Sequence, residues 1–204
     1  MKNQVSNART SFSPVFLRIV KENHKKVLRH DMQLKKLEME IEKISGEDQI
    51  NIIERKIQSL EDELAKASLI VIVFSAMALE AYIYDYAARH LTDTFVKDHL
   101  DKLDTFSKWV IVPQLITGRE LANHQNWREL LKKLIKARNS TIHHKSSELP
   151  ASSLDMTKYL KKWQTNSEAL LEAAKQSTQL LNILADKIME IDPQESAWVQ
   201  TYLT

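Results

Sequence analysis

The chain has 204 residues, with 29 Lys and Arg against 27 Asp and Glu for a net charge of +2, and it contains 2 Gly, 4 Pro and no Cys. So little Gly and Pro argues against a sheet protein, whose tight turns need those residues at fixed places. The missing cysteine removes disulfides, thiolate metal sites and cysteine catalysis, and a charge of +2 does not by itself call for a nucleic-acid partner.

In chain order, Met1 to Thr10 is polar, without the apolar core of a signal peptide, and disorder is expected only there. Ser13-Pro14 reads as a helix start, with Ser13 as N-cap and Pro14 in the first turn. Val20, Val27, Leu34 and Ile41 then repeat every seven residues, with Leu37 and Ile44 at the matching second positions and Asn23 and His30 weakening the earlier ones. Ser45-Gly46 ends this helix. A second stripe, Ile50, Ile53, Ile57, Leu60 and Leu64, is shifted by two residues across Gly46, so the chain is expected to fold back as an antiparallel hairpin. The reading is all-α: residues 1–64 form an N-terminal helical hairpin or coiled-coil arm, and residues 65–204 a helical bundle.

The second helix is expected to continue through Ala67 to His90. Its most apolar part, Ala67 to Ala81, falls short of the roughly 20 residues that span a bilayer, and Glu80 interrupts it, so it reads as a buried core helix. The β-branched run Leu69 to Phe74 favours strand by propensity, but helical pattern flanks it on both sides. Thr92 or Asp93 can cap a short helix through Leu103, and Asp104 or Thr105 another, which Pro113 should bend or end. Gly118 closes that region. Asn123 or Asn126 begins a helix with Trp127, Leu130, Leu131, Leu134 and Ile135 on one face and lysines on the other. After Pro150, Ser152 with Asp155 resembles a capping box, and Leu160, Trp163, Leu170, Leu171, Ala174, Leu181, Leu184 and Ile188 mark a last long helix to about Ile191. Asp192-Pro193 can cap a terminal turn.

No glycine-rich phosphate loop, HExxH pair or G-x-S-x-G elbow is present. His143-His144 is no ready chelate, because neighbours on a helix point about 100° apart, so neither a metal nor another cofactor is expected. Basic residues concentrate between Gly118 and Lys145: Arg119, Arg128, Lys132, Lys133, Lys136, Arg138 and Lys145 against Glu120 and Glu129. Such a patch attracts phosphate, or is simply a solvated helix face. The segment Arg138-Asn139-Ser140-Thr141-Ile142-His143-His144 follows it. Arginine can hold a phosphate through two prongs, histidine titrates near neutrality, and Asn139 can orient either, which together supply what metal-free RNA cleavage needs. Arg138 and His143 lie about 140° apart on an ideal helix, so a site shared between two protomers suits them. The competing reading is a helix end in which Arg138 pairs with a carboxylate and His143 packs.

This segment resembles the Arg-x4-His motif of the HEPN superfamily (higher eukaryotes and prokaryotes nucleotide-binding domains), in its Arg-Asn form. Leu79-Glu80-Ala81-Tyr82 on the preceding apolar helix and the stretch from Ser107-Lys108-Trp109 to Pro113 are similar to that superfamily too. The resemblance covers roughly residues 66–190 and leaves the N-terminal hairpin out. It implies a HEPN-like helical bundle that forms a homodimer with a composite cleft. It also implies a metal-independent endoribonuclease of the toxin or phage-defence kind, acting on RNA and partnered by an antitoxin or inhibitor protein. By carry-over Arg138 binds the scissile phosphate, His143 is general base or acid, and Asn139 supports both. Glu80 points into the cleft or pairs with Arg138, and His144 is an alternative to His143. Lys132, Lys133, Lys136 and Lys145 would bind RNA. Lys145 stands where one branch of the superfamily has a modified tyrosine, so that regulation is not expected.

Two other readings compete: a HEPN-like module that binds RNA, nucleotide or protein without cutting, and a structural adaptor working through its heptad arm. A cytoplasmic location without a membrane is expected under each. Trp109, Trp127 and Trp163 read as core, and Trp198 is undecided.

Overall fold

The computed structural model describes residues 11–122, 126–142 and 153–203, side chains at 153–155 and 163 excepted. The expectations for Met1 to Thr10, Asn123, His143 to Lys145, Pro150, the Ser152–Asp155 capping box and the Trp163 side chain lie outside the described residues. Among the described residues the chain is all-helical. Helix α1 (Ser13–Ile41) turns at Gly46 into α2 (Glu47–His90). The short α3 (Asp93–Phe95) and a π-turn (Val96–Leu100) lead to α4 (Thr105–Thr117), and α5 (Trp127–Ile142) and α6 (Ser153–Ile191) follow. A 3-10 turn (Pro193–Glu195) and α7 (Ser196–Tyr202) close the chain.

The heptad stripe of α1 is buried as predicted at Val20, Val27 and Leu34. Asn23 and His30 occupy the same buried seam instead of breaking it. Asn23 satisfies its amide by donating to the Ile19 carbonyl at 2.9 Å. The hairpin is antiparallel: Ser13 meets Ala78, and Phe16 stacks obliquely on Phe74 at 5.7 Å. The expected cap at Ser13 is a correction. Phe12 occupies the cap position, and Ser11 Oγ accepts the Ser13 N–H at 3.2 Å. The Ser13 hydroxyl is turned inward, where it donates to the Tyr202 carbonyl and lies 3.5 Å from that of Ala78. A buried hydroxyl needs a partner, and these two carbonyls supply it.

Helix α2 has 44 residues, about 66 Å at 1.5 Å per residue, and no strand interrupts it at Leu69 to Phe74. By length and composition it could cross a membrane, with a stretch of mean hydropathy 1.9. More than half of that stretch is buried within the protein, the pattern of a core helix. Ile72, Leu79 and Ile83 from α2, Trp109 from α4, Leu131 and Leu134 from α5, and Leu180, Leu184 and Ile188 from α6 build the centre. One hydrophobic cluster joins these to Leu17, Val20, Val27 and Leu34 of α1. The Trp109 indole N–H donates to the Leu79 carbonyl at 3.2 Å, and its ring stacks on Tyr82, also from α2, at 5.9 Å. Trp109 and Trp127 are core, as expected.

The predicted caps at Thr92 and Asp104 are present. Thr92 Oγ1 accepts from Phe95 N at 3.3 Å, and Asp104 accepts from Ser107 N at 3.0 Å and from its hydroxyl at 2.7 Å. Pro113 does not end α4. The helix runs on to Thr117, whose hydroxyl donates to the Pro113 carbonyl at 2.8 Å, and Gly118 closes it at φ +71°. Asn126 precedes α5 at φ +51°, a conformation asparagine tolerates.

The C-terminal turn is held to the end of α2. Arg89 and His90 reach Glu195, Tyr86 donates to Asp192 at 3.0 Å, and Arg89 lies over the Trp198 ring at 4.2 Å. Burial pushes the Tyr82 and Tyr86 hydroxyls well above the usual tyrosine range, and neighbouring Asp192 and Glu195 add to it.

Candidate functional site

Helix α5 is two-faced because its apolar residues recur at helical spacing. Trp127, Leu131, Leu134 and Ala137 are buried, while Lys132, Lys133 and Lys136 are exposed. Trp127 anchors the start by donating from its indole to the Ala122 carbonyl at 3.2 Å. Part of the basic cluster is already engaged. Arg128 lies 3.9 Å from Glu120 and 5.4 Å over the Trp127 ring, and Lys132 lies 3.3 Å from Glu129. Among the described residues no carboxylate reaches ion-pair distance of Lys133, Lys136 or Arg138.

Near the end of α5, Arg138 is half-buried and donates to the Asn139 side-chain oxygen at 3.0 Å. This contact fixes the asparagine as an acceptor toward the guanidinium, with its amide N–H₂ directed elsewhere. Ser140 and Thr141 both donate to the Ala137 carbonyl, at 2.8 and 2.9 Å, so their hydroxyls are occupied by the helix. A recess of about 480 Å³ lies between α4 and α5, lined by Phe106, Lys132, Ile135, Lys136, Asn139 and Ser140. Lys132 sits 5.2 Å over the Phe106 ring. The recess offers two ammonium groups, an amide and an aromatic face, a set suited to a phosphate with an attached base.

The structure thus brings Asn139, Lys132 and Lys136 to one recess and places Arg138 against Asn139. Lys133 is exposed on α5 outside that lining. Glu80 lies elsewhere. Its carboxylate is 4.0 Å from the Lys108 ammonium, and it lines a separate recess of about 380 Å³ with Phe12, Phe16, Tyr84 and Asp101 among its neighbours. Among the described residues the cation at ion-pair distance from Glu80 is Lys108, not Arg138. Lys108 is nearly buried, and Asp101 reaches it from the other side at 3.9 Å. His143, His144 and Lys145 lie outside the described residues.

Sequence reasoning did not single out Phe106, which forms a wall of the Asn139 recess, and it quoted Lys108 within the Ser107-Lys108-Trp109 stretch without foreseeing its pairing with Glu80. Phe106 follows the Asp104 cap by two residues, so the start of α4 carried the signal without revealing what it faces. No protein-family model, curated protein or solved structure matches this chain, so its reading rests on the residues themselves.

Proposed function

We propose that the chain is a metal-independent endoribonuclease of the HEPN kind, a cytoplasmic toxin or defence effector that works as a homodimer. The observation that supports it best is the Arg138–Asn139 contact at 3.0 Å on the helix that carries the basic recess. In this reading Lys132, Lys133 and Lys136 hold the RNA backbone, and Arg138 neutralises charge on the phosphate that reacts. His143 takes the proton of the 2′-hydroxyl, whose oxygen attacks the adjacent phosphorus. The bond to the 5′-oxygen breaks, that oxygen is protonated, and a 2′,3′-cyclic phosphate remains. Supplied across the dimer, His143 escapes the angular mismatch between positions 138 and 143.

The test is incubation of the full chain with mixed cellular RNA in EDTA, beside Arg138→Ala and His143→Ala. Cleavage by the wild type with cyclic phosphate ends, and a loss of at least about 100-fold in each variant, is the expected outcome for general acid–base and phosphate-binding groups. Retained cleavage in the double variant overturns the reading. RNA binding without any cleavage favours a HEPN-like binding module.

A further inference from the structure

We propose that His90, Asp192 and Glu195 bind one zinc ion, which clamps the end of α2 to the C-terminal turn. This site is separate from the basic recess on α5 and does not depend on the ribonuclease reading. The imidazole and the two carboxylates converge from positions about a hundred residues apart in the chain, and their donor atoms all lie within 4.8 Å of one another. His90 Nε2 is 3.0 Å from Glu195 Oε1 and 3.8 Å from Asp192 Oδ2. Zinc bonds to nitrogen and oxygen of about 2.0–2.2 Å set tetrahedral donors roughly 3.4 Å apart, so small side-chain shifts suffice.

Charge points the same way. Two carboxylates, one of them only 4% exposed, face a single permanent cation, Arg89, and the last carbonyls of α2 add partial negative charge.

The surroundings have the form of an outer shell. Arg89 binds Glu195 Oε2 and leaves Oε1 toward His90, while the Tyr86 hydroxyl steadies Asp192 at 3.0 Å. Outer partners of this kind orient metal-ligating carboxylates. The Tyr82 side chain is 1% exposed, and its hydroxyl interacts with Arg89 beside Glu195 and Asp192. One imidazole with two carboxylates suits zinc better than magnesium, which favours oxygen donors alone.

The experiment titrates Zn²⁺ into the metal-stripped full chain by calorimetry and records the thermal midpoint with and without Zn²⁺ or Mg²⁺. One zinc per chain, a rise in midpoint with Zn²⁺ and none of that size with Mg²⁺ are expected. His90→Ala and Asp192→Asn, checked for native helix content by circular dichroism, should lose both effects. Tyr86→Phe should weaken zinc by about 10- to 100-fold, as loss of an outer-shell partner does. Zinc binding that is unchanged in His90→Ala and Asp192→Asn assigns the metal to other histidines and overturns the proposal. So does a wild-type midpoint that zinc does not move.

Discussion

At Asp104 a single carboxylate accepts both the backbone N–H and the hydroxyl of Ser107, so it closes the first turn of α4. These bonds favour the charged form and hold the Asp104 carboxyl below its usual value of 3.8. Asp104→Ala should cost about 1 kcal/mol of stability, the common loss for an N-cap. The pH dependence follows from the direction of the shift. A carboxyl lowered by folding contributes fully above its unfolded value, and the contribution is lost as pH falls through the lower folded one. Urea midpoints measured from pH 6 to pH 2 should therefore converge between wild type and Asp104→Ala at the acid end. Caps of this kind were legible in the sequence because they act over three residues. Ser13 was not, since its hydroxyl is claimed by Tyr202 and Ala78, residues that only the folded chain brings near.

Helices were legible where one periodicity covered the whole element. The buried stripes of α1 and α5 and the length of α6 follow from apolar spacing alone. Of the two expectations for Pro113, to bend or to end the helix, the second fails because the helix continues to Thr117. Trp109 and Val112 are buried, and this packing holds the helix through the missing hydrogen bond. Of the candidate site, the basic face of α5 and the Arg138–Asn139 pair were legible. The orientation of Glu80 was not, because its partner Lys108 comes from another helix. The basic face makes a graded prediction. Lys133 and Lys136 have no carboxylate at ion-pair distance among the described residues, so their charge is free to meet phosphate. Each substitution, Lys133→Ala or Lys136→Ala, should weaken RNA binding across sequences and flatten the log–log salt slope by about 1. Filter binding at several salt concentrations measures both. Lys132, already 3.3 Å from Glu129, should contribute less to the slope.

On the scale of the molecule, the question is whether the N-terminal hairpin melts by itself or with the rest. Buried positions on α1 reach as far as Leu34 and resume on α2 only at Ile53, so the tip of the hairpin between them is mostly exposed. Toward its base, α1 joins the central cluster and is tied to α6. Lys175 bonds Asp31 at 2.7 Å, and His24 meets the Lys175 carbonyl at 3.0 Å. Burial works to raise the Asp31 carboxyl, but the bonds from Lys175 and Lys35 outweigh it and hold the group below its usual value. The pair thus favours the folded state at neutral pH and is lost on acidification. A shared apolar core makes separate melting of α1 expensive, because exposing Val20 and Val27 also strips cover from α2 and α6. Unfolding in urea should therefore be one transition. Far-ultraviolet circular dichroism reports every helix, while tryptophan fluorescence reports four residues that all lie outside the hairpin, among them Trp109 and Trp127, buried in α4 and α5. The two curves should superimpose, and Leu184→Ala should shift both together by about 2–5 kcal/mol. Ile52→Ala at the exposed tip should move neither by more than about 0.5 kcal/mol. A dichroism phase that precedes the fluorescence change would mean that α1 and the first part of α2 unfold as an independent arm, since helix would be lost while the tryptophan environments stayed intact.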